Sequence, residues 1–417
     1  MSFASGGSQL RVNGDRLLKR IHDLASIGAI DGGGCARLAL TDDDRDGRDL
    51  VVDWMKQLGL DVTTDVIGNV VGVWNVGSGS PVMTGSHIDT VRTGGKYDGN
   101  LGVLAGLEVI ERCQEAGYIP TRPLAVAFFT NEEGSRFAPD MLGSLTYVGG
   151  LPIEEALDIV GIDGMRVGDE LERIGYNGAT PCPGFAPYAF VELHIEQGPV
   201  LEQRNVLIGA VTGVQGISWT HVTIAGQSNH AGTTPMALRH DPAYVASFIT
   251  VFLRKMAITM GGNQVCTVGK IDLFPNLVNV VPATATLTLD IRNTDSELLL
   301  RAEKDVQQML IDIAAEEGVT ITTRSLARFD PVDFDHRLIS LVQDIATQHG
   351  HTVMLMPSGA GHDAQMFARV CPTTMIFVPS AGGISHNPAE HTEPKDLVAG
   401  ADVLLHAMIS LAEMKDL

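Results

Sequence analysis

The chain of 417 residues is poor in positive charge, with 29 lysines and arginines against 50 aspartates and glutamates, and its formal net charge is −21. A protein that binds a nucleic-acid backbone needs a stripe of lysine and arginine to displace counterions. We therefore expect no nucleic-acid partner. An anionic ligand would need its own local basic group.

Cysteine is also scarce, since the five cysteines are scattered, odd in number and never spaced as CxxC. That usage argues against a disulfide framework and favours a reducing compartment. The first residues, MSFASGGSQLRV, lack the basic start and apolar run of a signal peptide. No stretch approaches the roughly 18 apolar residues of a membrane helix. We therefore expect a cytoplasmic protein with no membrane partner.

The two ends of the chain have an α/β pattern. Hydrophobic residues make up 44% and charged residues 19%, as in soluble globular proteins, and the length predicts two domains. Short apolar runs at 70–74, 81–87 and 122–133 end in polar loops and alternate with helical stretches. This alternation indicates an α/β sheet with parallel strand pairs.

The middle of the chain follows a different pattern. Three segments alternate apolar and polar residues, as half-exposed antiparallel strands do: 219–226, 264–274 and 283–293. Helical stretches at about 241–260 and 295–317 complete a compact α+β unit. The sequence thus predicts a catalytic domain of residues 1–213 and 330–417, interrupted by an inserted domain of residues 214–329.

Histidines and carboxylates gather in five segments at strand ends or in loops. The segments are GSHIDT with His87 and Asp89, GGKYDGNLG with Asp98, TNEEGSRF with Glu132 and Glu133, ELHIEQGP with His194, and GISHNPAEHT with His386. Chemistry in α/β sheets collects at the carboxyl ends of the strands. Imidazoles and carboxylates without cysteine suit Zn²⁺, Mn²⁺ or Co²⁺.

A site for two metal ions needs a bridging carboxylate and a base that is not a ligand. Adjacent residues at a strand end point in different directions, so one of Glu132 and Glu133 can bind metal while the other faces the water. Asp89 follows His87 by two residues on the same strand, so it can point the same way and hydrogen-bond that imidazole. Such a carboxylate would fix the tautomer of the histidine.

These motifs, in this order and spacing, resemble the aminoacylase/carboxypeptidase-type zinc hydrolase family, and within it the amidase, hydantoinase and carbamoylase branch. The resemblance covers roughly residues 14 to 415. It rests on the blocks GSHIDTV, GGKYDGNLGV, NEEGSRF, HIEQGP, HAGTTPM and SGAGHDAQ. It implies an α/β, mixed-sheet, metallopeptidase-like catalytic domain with an inserted α+β lid and dimerisation domain, an antiparallel sheet plus two helices. It also implies a homodimer with two divalent ions per subunit, with Zn²⁺ first and Mn²⁺, Co²⁺ or Ni²⁺ as alternatives.

The resemblance further implies roles for single residues. Five positions would bind metal: Asp98 as the bridge, His87 and His194 on one ion, and Glu133 and His386 on the other. Glu132 would be the general base. His194 stands where peptidase relatives carry a carboxylate, which matches the amidase branch. Glu390 and His391 are assigned to local loop structure.

A second set of positions resembles the family's substrate contacts: Gln197, His230, Asn279, Arg292, Gly361 and His362. In the family His230 would polarise the scissile carbonyl, often from the partner subunit. Arg292 has a planar fork that suits a carboxylate, and it would hold the substrate's acid group together with Asn279 and Gln197. Structural alternatives stay open, namely a surface arginine for Arg292, a turn histidine for His230 and loop support for His362.

The sequence therefore predicts a metal-dependent amidohydrolase acting on a small carboxylate substrate. It would cleave the linear C–N bond of an N-carbamoyl-L-amino acid or a similar ureido acid and release amino acid, carbon dioxide and ammonia. The alternatives are an allantoate or ureidoglycolate amidohydrolase, or an N-acyl amino acid deacylase or dipeptidase on the same scaffold. A silent binding protein would not need the full ligand set with Glu132, and no GxGxxG follows a strand as nucleotide binding would require.

Overall fold

The structure, a computed structural model, describes residues 10–415 and residue 417. The expectation about a signal peptide rests mainly on the first nine residues, which lie outside the described residues. The chain divides into two compact units, of which the larger runs to Gly213 and resumes at Asp333, and the smaller is Val214–Val332. The mixed α/β fold predicted from the sequence is confirmed.

Strands and helices alternate through much of the described chain. The strands are β1 (Asp61–Thr64), β2 (Val70–Trp74), β3 (Val82–His87), β4 (Leu124–Phe129), β5 (Ala189–Ile195), β6 (Ile208–Val214), β7 (Gly216–Ala225), β8 (Asn229–His230), β9 (Val265–Phe274), β10 (Val280–Val281), β11 (Thr284–Asn293), β12 (Thr320–Phe329), β13 (Val332–Asp333), β14 (Val353–Ser358) and β15 (Thr373–Val378). The α-helices are α1 (Gly14–Ala25), α2 (Asp42–Gln57), α3 (Asn100–Glu115), α4 (Leu142–Tyr147), α5 (Ile153–Asp158), α6 (Val167–Ile174), α7 (Val200–Arg204), α8 (Pro242–Met260), α9 (Ser296–Glu317), α10 (His336–Gln348), α11 (Asp363–Phe367) and α12 (Pro394–Glu413).

The larger unit is built on a mixed sheet in the order β1-β2-β4-β3-β5-β15-β6-β13, with β14 beside β6. The four central strands β4, β3, β5 and β15 are parallel neighbours, whereas β1 pairs antiparallel with β2, β2 with β4, and β6 with β15. Every residue of the central strands is buried, as in strands covered on both faces. Their carboxyl ends therefore meet at one edge of the sheet.

Helix α3 lies directly against the central strands. A Cβ atom at Gly102 would lie 2.6 Å from the carbonyl oxygen of Leu193 on β5. Only glycine permits so close an approach of helix and strand. This packing fixes the start of α3 next to the carboxyl ends of β3 and β5.

The smaller unit is a four-stranded antiparallel sheet in the order β12-β7-β11-β9, covered by α8 and α9. Its core joins alternate residues of the strands, such as Leu287 and Leu289, to apolar residues of both helices, such as Ile249 and Val306. The strand β12 is not predicted from the sequence. Its residues TITTRSLARF lack a clear alternation, because an edge strand is largely exposed.

Helix α8 is long and apolar enough to span a membrane by length and composition alone, contrary to the expectation that no stretch approaches that size. One side of the helix packs in the core through Val245, Ile249 and Leu253. The other side exposes large apolar residues that include Phe248 and Val251. A core helix meets the same criterion, and packing in the core explains one apolar side of α8, whereas the other side is exposed.

Candidate metal centre and active site

Three neighbouring parallel strands end in the predicted site residues. His87 is the last residue of β3, and His194 is the last but one of β5. Glu132 and Glu133 follow the end of β4, whose Phe129 is paired in register with His87. Since the strands are parallel, the two imidazoles and the two carboxylates lie at the same edge of the sheet.

Asp98 lies in a tight turn between β3 and α3. The next residue, Gly99, has a φ of +66°. A Cβ atom there would lie 2.4 Å from the ring of His87, so glycine is required both for the backbone conformation and for the close approach. The turn presents Asp98, which is only 4% exposed, to the histidines.

The two oxygens of Asp98 face different partners. Oδ1 lies 3.1 Å from Nε2 of His194 and 3.6 Å from Nε2 of His87. Oδ2 lies 3.4 Å from Nε2 of His386, which is itself 3.2 Å from Oε2 of Glu133. The five residues thus form two groups with ligand atoms within 4.8 Å of one another, and the two groups share Asp98.

The histidines of the first group are oriented as metal ligands. Nδ1 of His87 lies 2.9 Å from the carbonyl oxygen of Asp89, and Nδ1 of His194 lies 2.8 Å from that of Ile195. A carbonyl only accepts, so each Nδ1 donates and Nε2 of each ring faces Asp98; on losing its Nε2 proton, each ring would offer a lone pair to a cation. A divalent cation between these nitrogens and the carboxylate would satisfy both, and nitrogen and oxygen ligands suit Zn²⁺, Mn²⁺ or Co²⁺. The donor set therefore fits the metal that the sequence predicts.

The predicted role of Asp89 is wrong in its geometry. Strand β3 ends at His87, so side-chain alternation does not carry on to Asp89, and only the backbone carbonyl of Asp89 meets the imidazole. Its carboxylate instead accepts the backbone N–H groups of Glu132 and Glu133, at 3.2 and 3.3 Å. Burial raises the pKa of Asp89 to about 6. Asp89 therefore fixes the turn that carries the two glutamates.

Glu132 lies beside the group of His87, His194 and Asp98 but belongs to neither of the two ligand groups. Its Oε2 is 3.4 Å from Nε2 of His87. Burial raises the pKa of Glu132 well above its usual range, and the negative charges of Asp363 and Glu133 add to this effect against the opposing charge of His87. A carboxylate whose pKa is raised in this way accepts a proton more readily than a free carboxylate does, as a general base requires.

Asp98 has the opposite electrostatic character. Burial alone would raise the pKa of Asp98, but hydrogen bonds with His194, His386 and His87 hold it well below its usual range. The same contacts, with those of Glu133, raise the pKa of His386 to about 10. Two buried carboxyl groups with separated proton affinities can divide the roles of ligand and base between them.

His362 and Gly361 lie in the loop before α11. His362 is 1% exposed, and its Nε2 lies 2.9 Å from Oγ of Ser358, the last residue of β14. Its ring contacts the ring of His194 edge to face, with 4.6 Å between centroids. Glu192, His194 and His362 also have metal-ligand spacing, but both oxygens of Glu192 accept other hydrogen bonds. The contacts indicate loop support for His362, and its contact with substrate stays a prediction.

Gln197 reaches the centre directly. Its Nε2 donates to Oδ2 of Asp98 at 2.9 Å, and its backbone has a φ of +58°. The sequence predicts a substrate contact at this position. In the structure the amide holds the shared carboxylate.

The remaining predicted substrate contacts lie in the smaller unit. His230 is exposed and pairs with Val280, and the carbonyl of Asn279 accepts the N–H of Ala231 at 2.9 Å. His230 and Asn279 are therefore neighbours. Arg292 on β11 donates through its fork to Asp290, with Nη2 to Oδ2 at 2.9 Å.

Two further buried carboxylates lie beside the site, Asp363, which the sequence places near it, and Glu192, which is not predicted from the sequence. Glu192 accepts a hydrogen bond from Oγ of Ser86 at 2.6 Å and one from the backbone N–H of Ala364 at 2.8 Å. Burial and the charge of Glu192 raise the pKa of Asp363 well above its usual range. The signal for Glu192 is its position two residues before His194, since strand alternation puts both on one face.

Glu390 is also more than a local loop residue. It is buried and accepts the backbone N–H groups of Tyr97 and Asp98. His391, by contrast, is half exposed and lies 3.3 Å from Glu393, in agreement with a local role.

The fold and the two ligand groups define a metallopeptidase-like hydrolase. The chain belongs to the peptidase family M20/M25/M40, whose model matches residues 83–410. It is 39% identical to an N-carbamoyl-L-amino-acid amidohydrolase of Rhizobium meliloti, over 99% of this chain and 100% of that protein. It is 37% identical to an allantoate amidohydrolase of Escherichia coli, over 94% of this chain and 96% of that protein.

A solved structure gives the same result. The amidase of the hydantoinase/carbamoylase family from Burkholderia multivorans matches with a TM-score of 0.94 and 42% identity, over 97% of this chain and 99% of that chain. The family resemblance drawn from the motifs is thus confirmed. The family is one of metal-dependent enzymes, in agreement with the candidate ligand groups.

The shared position of Asp98 predicts unequal effects of ligand removal. If each ligand group holds one cation, Asp98→Asn is expected to abolish the binding of both, whereas His386→Ala would remove only the one on its own side. Metal content after dialysis, measured by mass spectrometry, checks this, with the exposed His391→Ala as control. Equal loss in the Asp98 and His386 variants would contradict a shared carboxylate.

Proposed function

We propose that this protein is a metal-dependent amidohydrolase that cleaves the linear C–N bond of an N-carbamoyl-L-amino acid or a similar ureido acid. The observation that carries the proposal is that two carboxylates have different positions. Asp98 belongs to both ligand groups, whereas Glu132 lies next to them and belongs to neither. Relatives named N-carbamoyl-L-amino acid amidohydrolases support the substrate class.

In this proposal five side chains hold two divalent cations: His87 and His194 with Asp98 on one side, and Glu133 and His386 with Asp98 on the other. When bound, such cations supply Lewis-acid polarisation of a carbonyl and acidify water. Zn²⁺ fits the donors, with Mn²⁺, Co²⁺ or Ni²⁺ as alternatives.

Glu132 acts as the general base. Its raised proton affinity suits it to take the proton of the attacking water and to return it to the leaving nitrogen. Asp89 holds the backbone of Glu132 and so fixes the direction of the carboxyl group. His230 donates to the developing oxyanion, a contribution of about 3–4 kcal/mol for one donor.

The acid group and the rest of the substrate need contacts outside the ligand groups. We propose that these contacts come from six residues: Gln197, His230, Asn279, Arg292, Gly361 and His362. Arg292 supplies the planar fork for the carboxylate. In the structure this fork is held by Asp290, so a substrate carboxylate would replace an existing intramolecular partner.

Allantoate hydrolysis is the second candidate. The match to the allantoate amidohydrolase of Escherichia coli is nearly as high, at 37%, and covers nearly the same length. Allantoate is also a ureido acid, so the same base and metal ligands would serve it.

We also propose that the smaller unit, as the lid and dimerisation domain, pairs the chain with a second copy. Strand β9 is an edge strand of the sheet that the structure describes, and it exposes Val265 and Phe274. The outer side of α8, which packs beside β9, exposes Phe248, Val251 and Ile258. An apolar helix face next to an open strand edge is a surface that association would cover.

A cytoplasmic location completes the proposal. All five cysteines are free, and two of them are buried, which fits a reducing compartment.

The substrate class is tested by ammonia release from the metal-loaded protein. The panel is N-carbamoyl-L-amino acids, allantoate, ureidoglycolate, β-ureidopropionate and an N-acetyl amino acid, with free amino acid as the readout for the last. We expect ammonia from a ureido acid, and we expect a chelator to suppress it. Activity on the acetyl compound alone would assign the protein to the acylases instead.

The base is tested with the adjacent glutamates as a matched pair. Glu132→Gln is expected to lower kcat by about 10²- to 10⁴-fold with metal content intact, because the proton acceptor is lost and no ligand is. Glu133→Gln is expected to lose metal from the His386 side. Near-normal turnover of the Glu132 variant would rule out this residue as the base.

The proposed contact of Arg292 with the substrate carboxylate is tested by comparing substitutions of Arg292 and of Asp290, its partner in the structure. Arg292→Ala is expected to raise KM by about 10- to 100-fold with little change in kcat, since a hydrogen bond to a charged group contributes about 1.5–3 kcal/mol. Asp290→Ala is expected to leave KM unchanged or lower it. The same rise of KM in both variants would mean that Arg292 serves only the pair with Asp290.

The dimer is tested by light scattering after size exclusion. Val251→Glu on the outer side of α8 is expected to convert a dimer to a monomer, because a charge would be buried in the interface. Ile119→Glu, at an exposed apolar position of the larger unit, is the control and should stay dimeric. A monomeric unmodified protein would contradict the proposal.

A further inference from the structure

Glu390 links two loops that are distant in sequence. Its Oε1 accepts the backbone N–H of Tyr97 at 3.1 Å and that of Asp98 at 3.3 Å. Its Oε2 accepts a hydrogen bond from Oγ of Ser385 at 3.0 Å, in the loop that also carries His386. One buried carboxylate therefore ties the loop of Asp98 to the loop of His386.

The backbone near Asp98 is shaped to receive this carboxylate. A Cβ atom at Gly95 would lie 2.0 Å from Oε1 of Glu390, so the carboxyl group occupies the space over the glycine. Glu390 is 4% exposed. The contact is thus a built feature of the turn, since any side chain at position 95 would displace Glu390.

Ser385 extends the link to the side chain of Asp98. Its Oγ lies 3.2 Å from Oδ2 of Asp98 and 3.0 Å from Oε2 of Glu390. A hydroxyl has one proton, so it can donate to only one of the two carboxylates at a time. If a cation binds Oδ2, the hydroxyl proton belongs with Glu390, and the link between the loops becomes stronger.

The contacts of Glu390 and Ser385 lie on the side of Asp98 that faces His386. Oδ2 is the oxygen of Asp98 that faces His386, and His386 is half exposed on its loop. His87 and His194, which face Oδ1, stand on buried strands instead. The side that includes Glu133 and His386 therefore depends on loop positions, and errors of about 1 Å in ligand placement are costly.

We propose that Glu390 is a positioning residue that holds the loop of His386 against the turn of Asp98 and so aligns the group Asp98, Glu133 and His386 for its cation. This inference rests on the proposed function, because it assumes that Asp98, Glu133 and His386 bind a cation. It adds a residue that contacts neither the cation nor the substrate. Because the histidines that face Oδ1 of Asp98 are fixed on strands, we expect its effect to fall mainly on this one cation.

The test is a chelator-competition titration of the full-length protein with Zn²⁺ alone and with Mn²⁺ alone. Glu390→Gln keeps the size of the side chain but replaces one acceptor oxygen by an amide donor. We assign the cation of Asp98, Glu133 and His386 to the weaker of the two binding steps, because its ligands lie on loops. We expect this cation to lose about 10- to 100-fold in affinity, as when supporting partners of metal ligands are removed. We expect the equivalent held by His87 and His194 to keep its affinity.

Two further variants keep the inference testable. Ser385→Ala removes the hydroxyl that joins Oε2 of Glu390 to Oδ2 of Asp98 but leaves the backbone contacts of Oε1, so it should weaken the same cation site by a smaller factor. His391→Gln, at the exposed neighbour, should leave both affinities and the melting temperature unchanged. Because Ser385→Ala is a small change in a side chain, it answers the question even if the Glu390 variant does not fold.

Three outcomes would overturn the inference. Unchanged affinities in both the Glu390 and Ser385 variants would show that the link does not align the ligands. Equal weakening of both equivalents with a lower melting temperature would show a merely structural role. Failure of the unmodified protein to bind any cation would contradict the proposed function itself and, with it, the group that Glu390 is said to align.

Discussion

The convergence of three imidazoles on the buried carboxylate of Asp98 is the constraint on which the rest of the site depends. An ionised carboxylate costs several kcal/mol to bury unless charged or hydrogen-bonding partners surround it. The partners His87, His194 and His386 come from β3, from β5 and from the loop after β15. These segments lie far apart in the sequence. A parallel sheet brings them together because the carboxyl ends of its strands lie at the same edge. The site therefore forms only if the strands adopt this order.

Two buried arginines near the N-terminus hold the segments that carry the site residues. Arg37 donates to the carbonyl of Ile88 at 2.8 Å and to Oδ1 of Asn100 at 2.9 Å, so it holds both ends of the segment that contains Asp98. Arg48 on α2 donates to Oγ1 of Thr130, just before the glutamates of the site. Both arginines precede the region matched by the family model. The segment before the family match, with α2 and the loop that carries Arg37, therefore helps to hold the site in place.

The sequence predicts which residues gather at the site because strand ends and motif spacing are local features. His87 and His194 lie at the ends of predicted strands, and the structure brings them to one carboxylate. Asp89 is misread because its role depends on where β3 stops, and a shift of one residue redirects the side chain. Glu390 is undervalued because its partners are 292 and 293 residues away in the chain. Such contacts follow from the packing of loops, for which a sequence carries no periodic signal.

The division of the chain into two units bears on how substrate choice can change. The ligand groups and Glu132 belong to the larger unit, whereas three of the proposed substrate contacts, including Arg292, belong to the smaller. N-carbamoyl amino acids and allantoate both offer a ureido carbonyl and a carboxylate, so they make the same demand on the ligands and the base. They differ in the rest of the molecule, where a single methylene is worth about 1–3 kcal/mol. We infer that relatives of similar identity can differ in substrate because residues outside the ligand set select it, while the hydrolytic centre stays the same.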